Sequence, residues 1–120
     1  TYEMANPGLC MHEFVMTMEK EHKECGVSAL DIAKGLLDEG MHAPTIYFPL
    51  IVHEALMAEP TETESPETIE AAAEIFKKVY HAAIADPEAA HQWPVKAAIS
   101  RPDEVTAARK PVLRWVKEEG

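Results

Sequence analysis

The chain has 120 residues, of which 47% are hydrophobic, and a formal net charge of −10. This length and composition predict one globular domain with its own core and argue against disorder. An acidic surface repels phosphate backbones, so nucleic-acid binding is not expected, and no apolar run approaches the roughly 20 residues that cross a bilayer.

The first predicted elements are an arm and a strand. Residues 1–9 carry a turn signal at residues 6–8 and predict an extended arm. Residues 11–18 alternate in the manner of a strand. One face of that strand would carry His12, Phe14, Met16 and Met18. The highly charged residues 19–24 then predict a solvated connection.

A helix follows over residues 28–40. Ser28 is a good N-cap, Asp31 completes a capping box, and Gly40 is placed to end the helix in the left-handed conformation. An apolar stripe at helical spacing would face the core. Its members are Ala29, Ile32, Ala33, Leu36 and Leu37.

Two short extended segments come next, residues 45–52 and 54–58. Pro49 predicts that the first is an edge strand or is broken there. Residues 59–65 are too polar for the core and predict a loop. The separation of the two segments by one or two residues favours antiparallel pairing.

The second half of the chain predicts helices. Ser65-Pro66 starts the longest one, in which apolar residues recur every three or four positions up to Ala83. The pair Asp86-Pro87 starts a short helix. In the tail, residues 103–120, a helical stretch over 103–109 is stopped by Pro111. The predicted fold class is α+β: a small, mostly antiparallel sheet covered on one face by helices.

The residues taken alone contain no complete catalytic signature. There is no glycine-rich phosphate loop and no nucleophile elbow, and the six histidines form no pair at metal-ligand spacing. The two cysteines, Cys10 and Cys25, also lack such spacing, which fits free thiols in a reducing, cytoplasmic compartment. No basic stretch followed by an apolar core opens the chain, so no secretory signal is expected.

Three features leave alternatives open. The loop of residues 59–65 either caps the following helix with its acids or shapes a site together with another part of a larger protein. His42 is a helix-end cap, a core residue or a ligand-facing group. A third group of residues either binds an anion or pairs with the acidic face, and it consists of Arg109, Lys110 and Arg114.

Four stretches carry a family resemblance: residues 10–15 (CMHEFV), 29–45 (ALDIAKGLLDEGMHAPT), 54–65 (EALMAEPTETES) and 103–115. Together they resemble the C-terminal region of the P-protein of the glycine cleavage system, a glycine dehydrogenase (decarboxylating), and the last resembles the end of subunit 2 of its two-subunit bacterial form. The resemblance covers nearly the whole chain.

The resemblance implies the small C-terminal domain of an aspartate-aminotransferase-like (fold type I) subunit. In that family pyridoxal phosphate is bound to a lysine of a large domain, glycine is decarboxylated, and the aminomethyl group passes to the lipoyl arm of the H-protein. The Schiff-base lysine and phosphate loop would then lie outside these 120 residues. The implied partners are the large domain, subunit 1, the lipoylated H-protein and glycine, and the fragment alone is expected to be inactive and to bind no cofactor.

On this resemblance, six residues of the matching stretches are candidates to face the cleft between the domains: His12, His42, Thr45, Glu59, Thr61 and Glu62. No catalytic or metal-binding residue is assigned. Two alternatives from other classes stand beside this hypothesis. They are a stand-alone α+β module that binds a small ligand or a protein, and a metal-binding domain.

Overall fold

The computed structural model describes residues 1–60 and 62–117. Within them the chain forms four strands and five helices, which confirms the predicted α+β class. The strands are β1 (Glu3–Met4), β2 (Phe14–Thr17), β3 (Thr45–Ile46) and β4 (Ala55–Ala58). The helices are α1 (Glu19–Cys25), α2 (Ala29–Asp38), α3 (Pro66–Ala85), α4 (Pro87–Ala90) and α5 (Glu104–Arg109). None of these helices is both long and apolar enough to cross a bilayer.

The strands form one antiparallel sheet in the order β1-β2-β4-β3. Met16 of β2 lies opposite Leu56 of β4, and Ile46 of β3 lies opposite the same leucine. These side chains share the sheet face that packs on α2, whose Ile32 and Leu36 are fully buried. The core therefore lies between one face of the sheet and the helices, as predicted.

The strands are shorter than the sequence predicts. Pairing in β2 begins at Phe14, so His12 lies before the strand rather than on its face. β3 contains only two residues, because Tyr47 turns the backbone into the left-handed region at φ 68° and Pro49 has no N–H to donate. The connection between β3 and β4 is consequently residues 47–54, longer than the one or two residues predicted.

Residues 19–24 were predicted to be a solvated connection, and this is wrong, because they belong to helix α1. Lys23 pairs with Glu19 across one turn, and Gly26 ends the helix at φ 80°. Glu21 is only 8% exposed and accepts a hydrogen bond of 2.8 Å from the hydroxyl of Tyr80. Local contacts and one long-range hydrogen bond therefore both support this helix.

The predicted helix starts are confirmed. Ser28 accepts from the N–H of Asp31, and Asp31 accepts in return from the N–H of Ser28, which completes the capping box. Ser65 and Asp86 cap α3 and α4, each followed by a proline. The predicted apolar stripe of α2 is buried except at Leu37, which is 39% exposed.

The N-terminal arm joins the sheet. Its residues Glu3–Met4 form the edge strand β1, and the ring of Tyr2 packs edge-on against Phe76 and Tyr80 of α3. The Tyr2 hydroxyl donates to the Phe76 carbonyl at 2.9 Å. Burial raises the pKa of this hydroxyl. The arm thus ties the open edge of β2 to the longest helix.

Candidate functional site

A groove of about 930 Å³ opens between the end of α2, the sheet and the N-terminal half of α3. Residues 40–45 form one wall and the first turns of α3 form the other. The floor is largely apolar, with Phe14, Met41, Pro44, Ala58, Ile75 and Phe76. The polar side chains of the lining are Glu13, His42, Thr45, Glu59, Glu64 and Thr68.

A second depression of about 680 Å³ adjoins this groove. It is lined by Met11, His12 and the acidic loop that precedes α3, including Glu62. Glu59, Glu64 and Ile69 line both spaces, so they form a common rim. The two spaces together make one open, acid-rimmed cleft on the surface of the domain.

This cleft brings together the described residues that the family resemblance selected. His42, Thr45 and Glu59 line the groove, while His12, Glu59 and Glu62 line the depression. All five side chains are exposed. Thr61, the sixth, lies outside the described residues. Contact of these side chains with a substrate or cofactor stays a prediction.

The charge of the cleft is one-sided. Neither of its two spaces is lined by a lysine or arginine among the described residues, whereas Glu13, Glu59 and Glu64 line the groove. His12 accepts at Nδ1 from the N–H of Glu13, at 3.0 Å. An anionic phosphate requires cations or converging N–H donors. The described lining of the cleft therefore supplies no cationic side chain to the phosphate of pyridoxal phosphate.

Across the described part of the chain, no three histidine, cysteine, aspartate or glutamate side chains come together in a way that could hold a metal ion. Both cysteines are free thiols, Cys10 exposed and Cys25 half-buried. The Cys25 thiol donates to the backbone carbonyl of Glu21 at 3.2 Å.

A polar centre that the sequence did not predict lies at the start of α2. Asp31 is 2% exposed, and its Oδ1 accepts from Arg101 Nη2 at 2.6 Å. Its Oδ2 accepts from the N–H and hydroxyl of Ser28 at 2.9 and 2.7 Å and lies 3.3 Å from His91 Nδ1. Burial works to raise the pKa of Asp31. The hydrogen bonds from Ser28 and Arg101 outweigh that effect and hold the pKa below its ordinary value.

Arg101 also binds the backbone, because its Nε donates to the carbonyl of Trp93 at 2.8 Å. At the other end of α2, Asp38 accepts from the N–H groups of Val95 and Lys96 at 2.6 and 2.8 Å. Residues 91–101 are thus fastened to both ends of α2 and cross it. We call this segment the strap.

The cations singled out in the sequence do not hold the strap in place. Arg109, Lys110 and Arg114 are exposed and form no ion pair with any residue in the described ranges. In the sequence, Arg101 stands out only because it precedes Pro102 and lies outside any helix pattern. Neither feature identifies Asp31, 70 residues away, as its partner.

The fold and the cleft define a small helix-covered sheet domain whose apolar groove has an acidic rim. A family model described as "Glycine dehydrogenase, C-terminal domain" matches residues 1–100, and the chain belongs to this family.

Among curated relatives, the probable glycine dehydrogenase (decarboxylating) subunit 2 of Treponema denticola is 58% identical over 114 residues, 95% of this chain and 24% of that protein. The proteins of the same description from Thermosipho africanus and Thermotoga maritima are 55% and 52% identical, over 98% and 94% of this chain and 24% of their own length. The chain therefore spans about a quarter of the length of the curated relatives that it matches.

Proposed function

We propose that this chain acts as the small domain of a pyridoxal-phosphate-dependent glycine dehydrogenase (decarboxylating) subunit and closes one side of its active site. The observation that carries the proposal is the match of the family model over residues 1–100, together with relatives that are about four times as long. The full subunit would decarboxylate glycine and pass the aminomethyl group to the lipoyl arm of the H-protein, with subunit 1 as its permanent partner.

The charge of the cleft supports a cofactor site that lies mainly on the remainder of the subunit. The described lining of the cleft offers no lysine to form a Schiff base and no cation to a phosphate, so we assign the cofactor phosphate and the Schiff-base lysine to the remainder of the subunit. On this proposal the isolated chain has no activity and takes up no cofactor.

On this proposal the chain positions the reacting groups and excludes water from the site. His42 and Thr45 stand on the groove wall with donor and acceptor atoms, and Glu59 stands on the common rim. The apolar floor beneath them would be covered when the rest of the subunit closes over the groove, which removes water from the site. We propose these three side chains as cleft-facing groups, together with His12 and Glu62 of the adjoining depression and with Thr61.

The test uses the full-length subunit 2 with subunit 1 and H-protein and measures the exchange of the glycine carboxyl group with labelled bicarbonate. His42→Gln and Glu59→Gln should each lower kcat/KM about tenfold or more, as the loss of a positioning group does. Glu88→Gln is the matched control, because Glu88 is exposed on α4 and lines neither space. It should stay within about twofold of the wild type.

Unchanged exchange in both cleft variants would remove the cleft from the active site. Saturable binding of a small ligand by the 120-residue chain, with no exchange activity in the full-length protein, would favour a stand-alone binding module instead.

A further inference from the structure

The loop that joins β3 to β4, residues 47–54, exposes large apolar side chains at its tip. Tyr47 and Phe48 are 51% and 53% exposed, and Leu50 and Ile51 are 77% and 89% exposed. Single exposed apolar residues are common, but four within five positions concentrate apolar surface in one loop, and concentrated apolar surface marks interaction sites. We call these four side chains the apolar tip.

The base of the loop is fastened at several points. The carbonyl of His53 accepts from the Thr17 hydroxyl at 2.7 Å, and the carbonyl of Glu54 accepts from the N–H of Met18 at 3.0 Å. The Glu54 carboxylate accepts from the N–H of Ala29 at 2.7 Å, which joins the loop to the start of α2. The loop is therefore anchored to both β2 and α2.

Two residues of the loop adopt backbone conformations that side chains disfavour, Tyr47 at φ 68° and Glu54 at φ 49°. Non-glycine residues keep such conformations only where the surroundings impose them, and such residues concentrate at functional sites. Tyr47 opens the apolar tip directly after β3, and Glu54 closes the loop at its anchored base. The apolar tip is presented in a fixed shape, which lowers the entropy lost on docking.

We infer that the apolar tip is the anchor by which this domain docks onto the remainder of its own subunit. This inference rests on the proposed function, since it takes the occupant to be the other three-quarters of a chain of the relatives' length. The occupant offers an apolar pocket or groove, because the tip carries no charged side chain from Tyr47 to Ile51.

The size of the tip favours a tethered occupant over a second copy. Its exposed apolar area is on the order of 500 Å², which is less than the roughly 800 Å² that each partner of a stable free complex buries. A covalent link raises the effective concentration to about the millimolar range, so an area this small is enough within one chain.

The experiment is hydroxyl-radical footprinting of the full-length subunit, read by mass spectrometry at single residues and without glycine. Leu50 and Ile51 are compared with two internal limits. Buried Leu36, which is 0% exposed here, gives the lower limit, and the same subunit in denaturant gives the upper limit for each residue. We expect Leu50 and Ile51 to react at least about fivefold more slowly than in the denatured subunit, and equally so after hundredfold dilution.

Labelling of Leu50 and Ile51 near the denatured rate overturns the inference. So does protection that disappears on dilution, which indicates a second copy, and protection that requires subunit 1 or the H-protein, which indicates a separate partner. Glycine exchange by the same subunit, measured after subunit 1 and H-protein are added, reports on the proposed function independently. Protection without exchange leaves the docking surface standing and defeats the proposed function, whereas exchange without protection defeats only the docking surface.

Discussion

Removal of the Arg101 side chain probes how residues far apart in sequence hold the domain together. Arg101→Met keeps an apolar stem of similar length and removes only the guanidinium. Three hydrogen bonds are lost, to Asp31 Oδ1 at 2.6 Å, to the Trp93 carbonyl at 2.8 Å and to the Ala90 carbonyl at 3.2 Å. The strap loses the attachment that Arg101 makes to the start of α2, where His91 Nδ1 still lies 3.3 Å from Asp31 Oδ2.

The expected cost follows from these contacts. A hydrogen bond between charged groups contributes about 1.5–3 kcal/mol, and here it also compensates a carboxylate that is 2% exposed. The Ala90 carbonyl keeps a second donor, the N–H of Trp93 at 3.1 Å, and we assign each of the two carbonyl bonds only about 0.5 kcal/mol. The free energy of unfolding should fall by about 3 kcal/mol, well above the roughly 0–1 kcal/mol of an exposed ion pair.

The assay is urea unfolding of the chain, followed by circular dichroism. Arg109→Met is the control, because Arg109 is exposed in the last turn of α5, and it should cost less than about 1 kcal/mol.

The folded-state pKa of Asp31 is lowered, so the stability it contributes is present above the unfolded pKa of about 3.9 and is lost as pH falls through the folded value. The deficit of Arg101→Met should therefore shrink below about pH 4. Equal stability of the two variants at pH 7 would refute the reasoning.

Two further substitutions test the packing of the helices. In Gly35→Ala the new Cβ would lie 2.6 Å from a ring carbon of Trp93 and 2.8 Å from Val79. This overlap should lower the free energy of unfolding by about 1–3 kcal/mol and therefore the thermal unfolding midpoint, despite the better helix propensity of alanine. In Tyr80→Phe the carboxylate of Glu21 loses its hydroxyl donor, so the free energy of unfolding measured in urea should fall by about 1–2 kcal/mol. The same tyrosine predicts alkaline instability, because burial and the bond to Glu21 raise its pKa from 10.0 to about 12. Stability should be complete below pH 10 and fall as pH rises toward 12, less steeply in Tyr80→Phe.

Controls separate these effects from general damage. Lys34→Ala, one residue from Gly35 on the same helix, should leave the midpoint close to the wild type, since no partner of its side chain is present in the described ranges. A Gly35→Ala chain as stable as the wild type would show that Trp93 moves aside freely. A Tyr80→Phe chain with an unchanged alkaline transition would assign that transition to other groups.

Local signals were enough for much of the fold. The helix starts at Ser28, Ser65 and Asp86 were predictable because each cap makes its contacts within three residues. The buried face of α2 was predictable because the period of its apolar residues matches the helix, and the same period in α3 is buried at Val79 and Ala83 but exposed at Ile69. These features depend on neighbours in sequence, which is why sequence reasoning reached them.

Features that depend on distant partners were not predictable. Helix α1 carries a charged sequence without an apolar stripe, and the partner of its buried Glu21 is Tyr80, 59 residues away. Arg101 was overlooked because its partner is 70 residues away. The candidate cleft was reached through the family resemblance, and its residues meet in space only because the sheet brings residues 12–13, 42–45 and 57–60 to the same side of α3.

The most direct test of the account compares cofactor uptake and glycine exchange in two proteins: this 120-residue chain and the full-length subunit, each supplied with pyridoxal phosphate, subunit 1 and H-protein. The account predicts near-visible cofactor absorbance and release of carbon dioxide from glycine only with the full-length subunit. Cofactor absorbance and carbon dioxide release from the 120-residue chain would contradict the claim that this domain completes a site begun elsewhere in the protein.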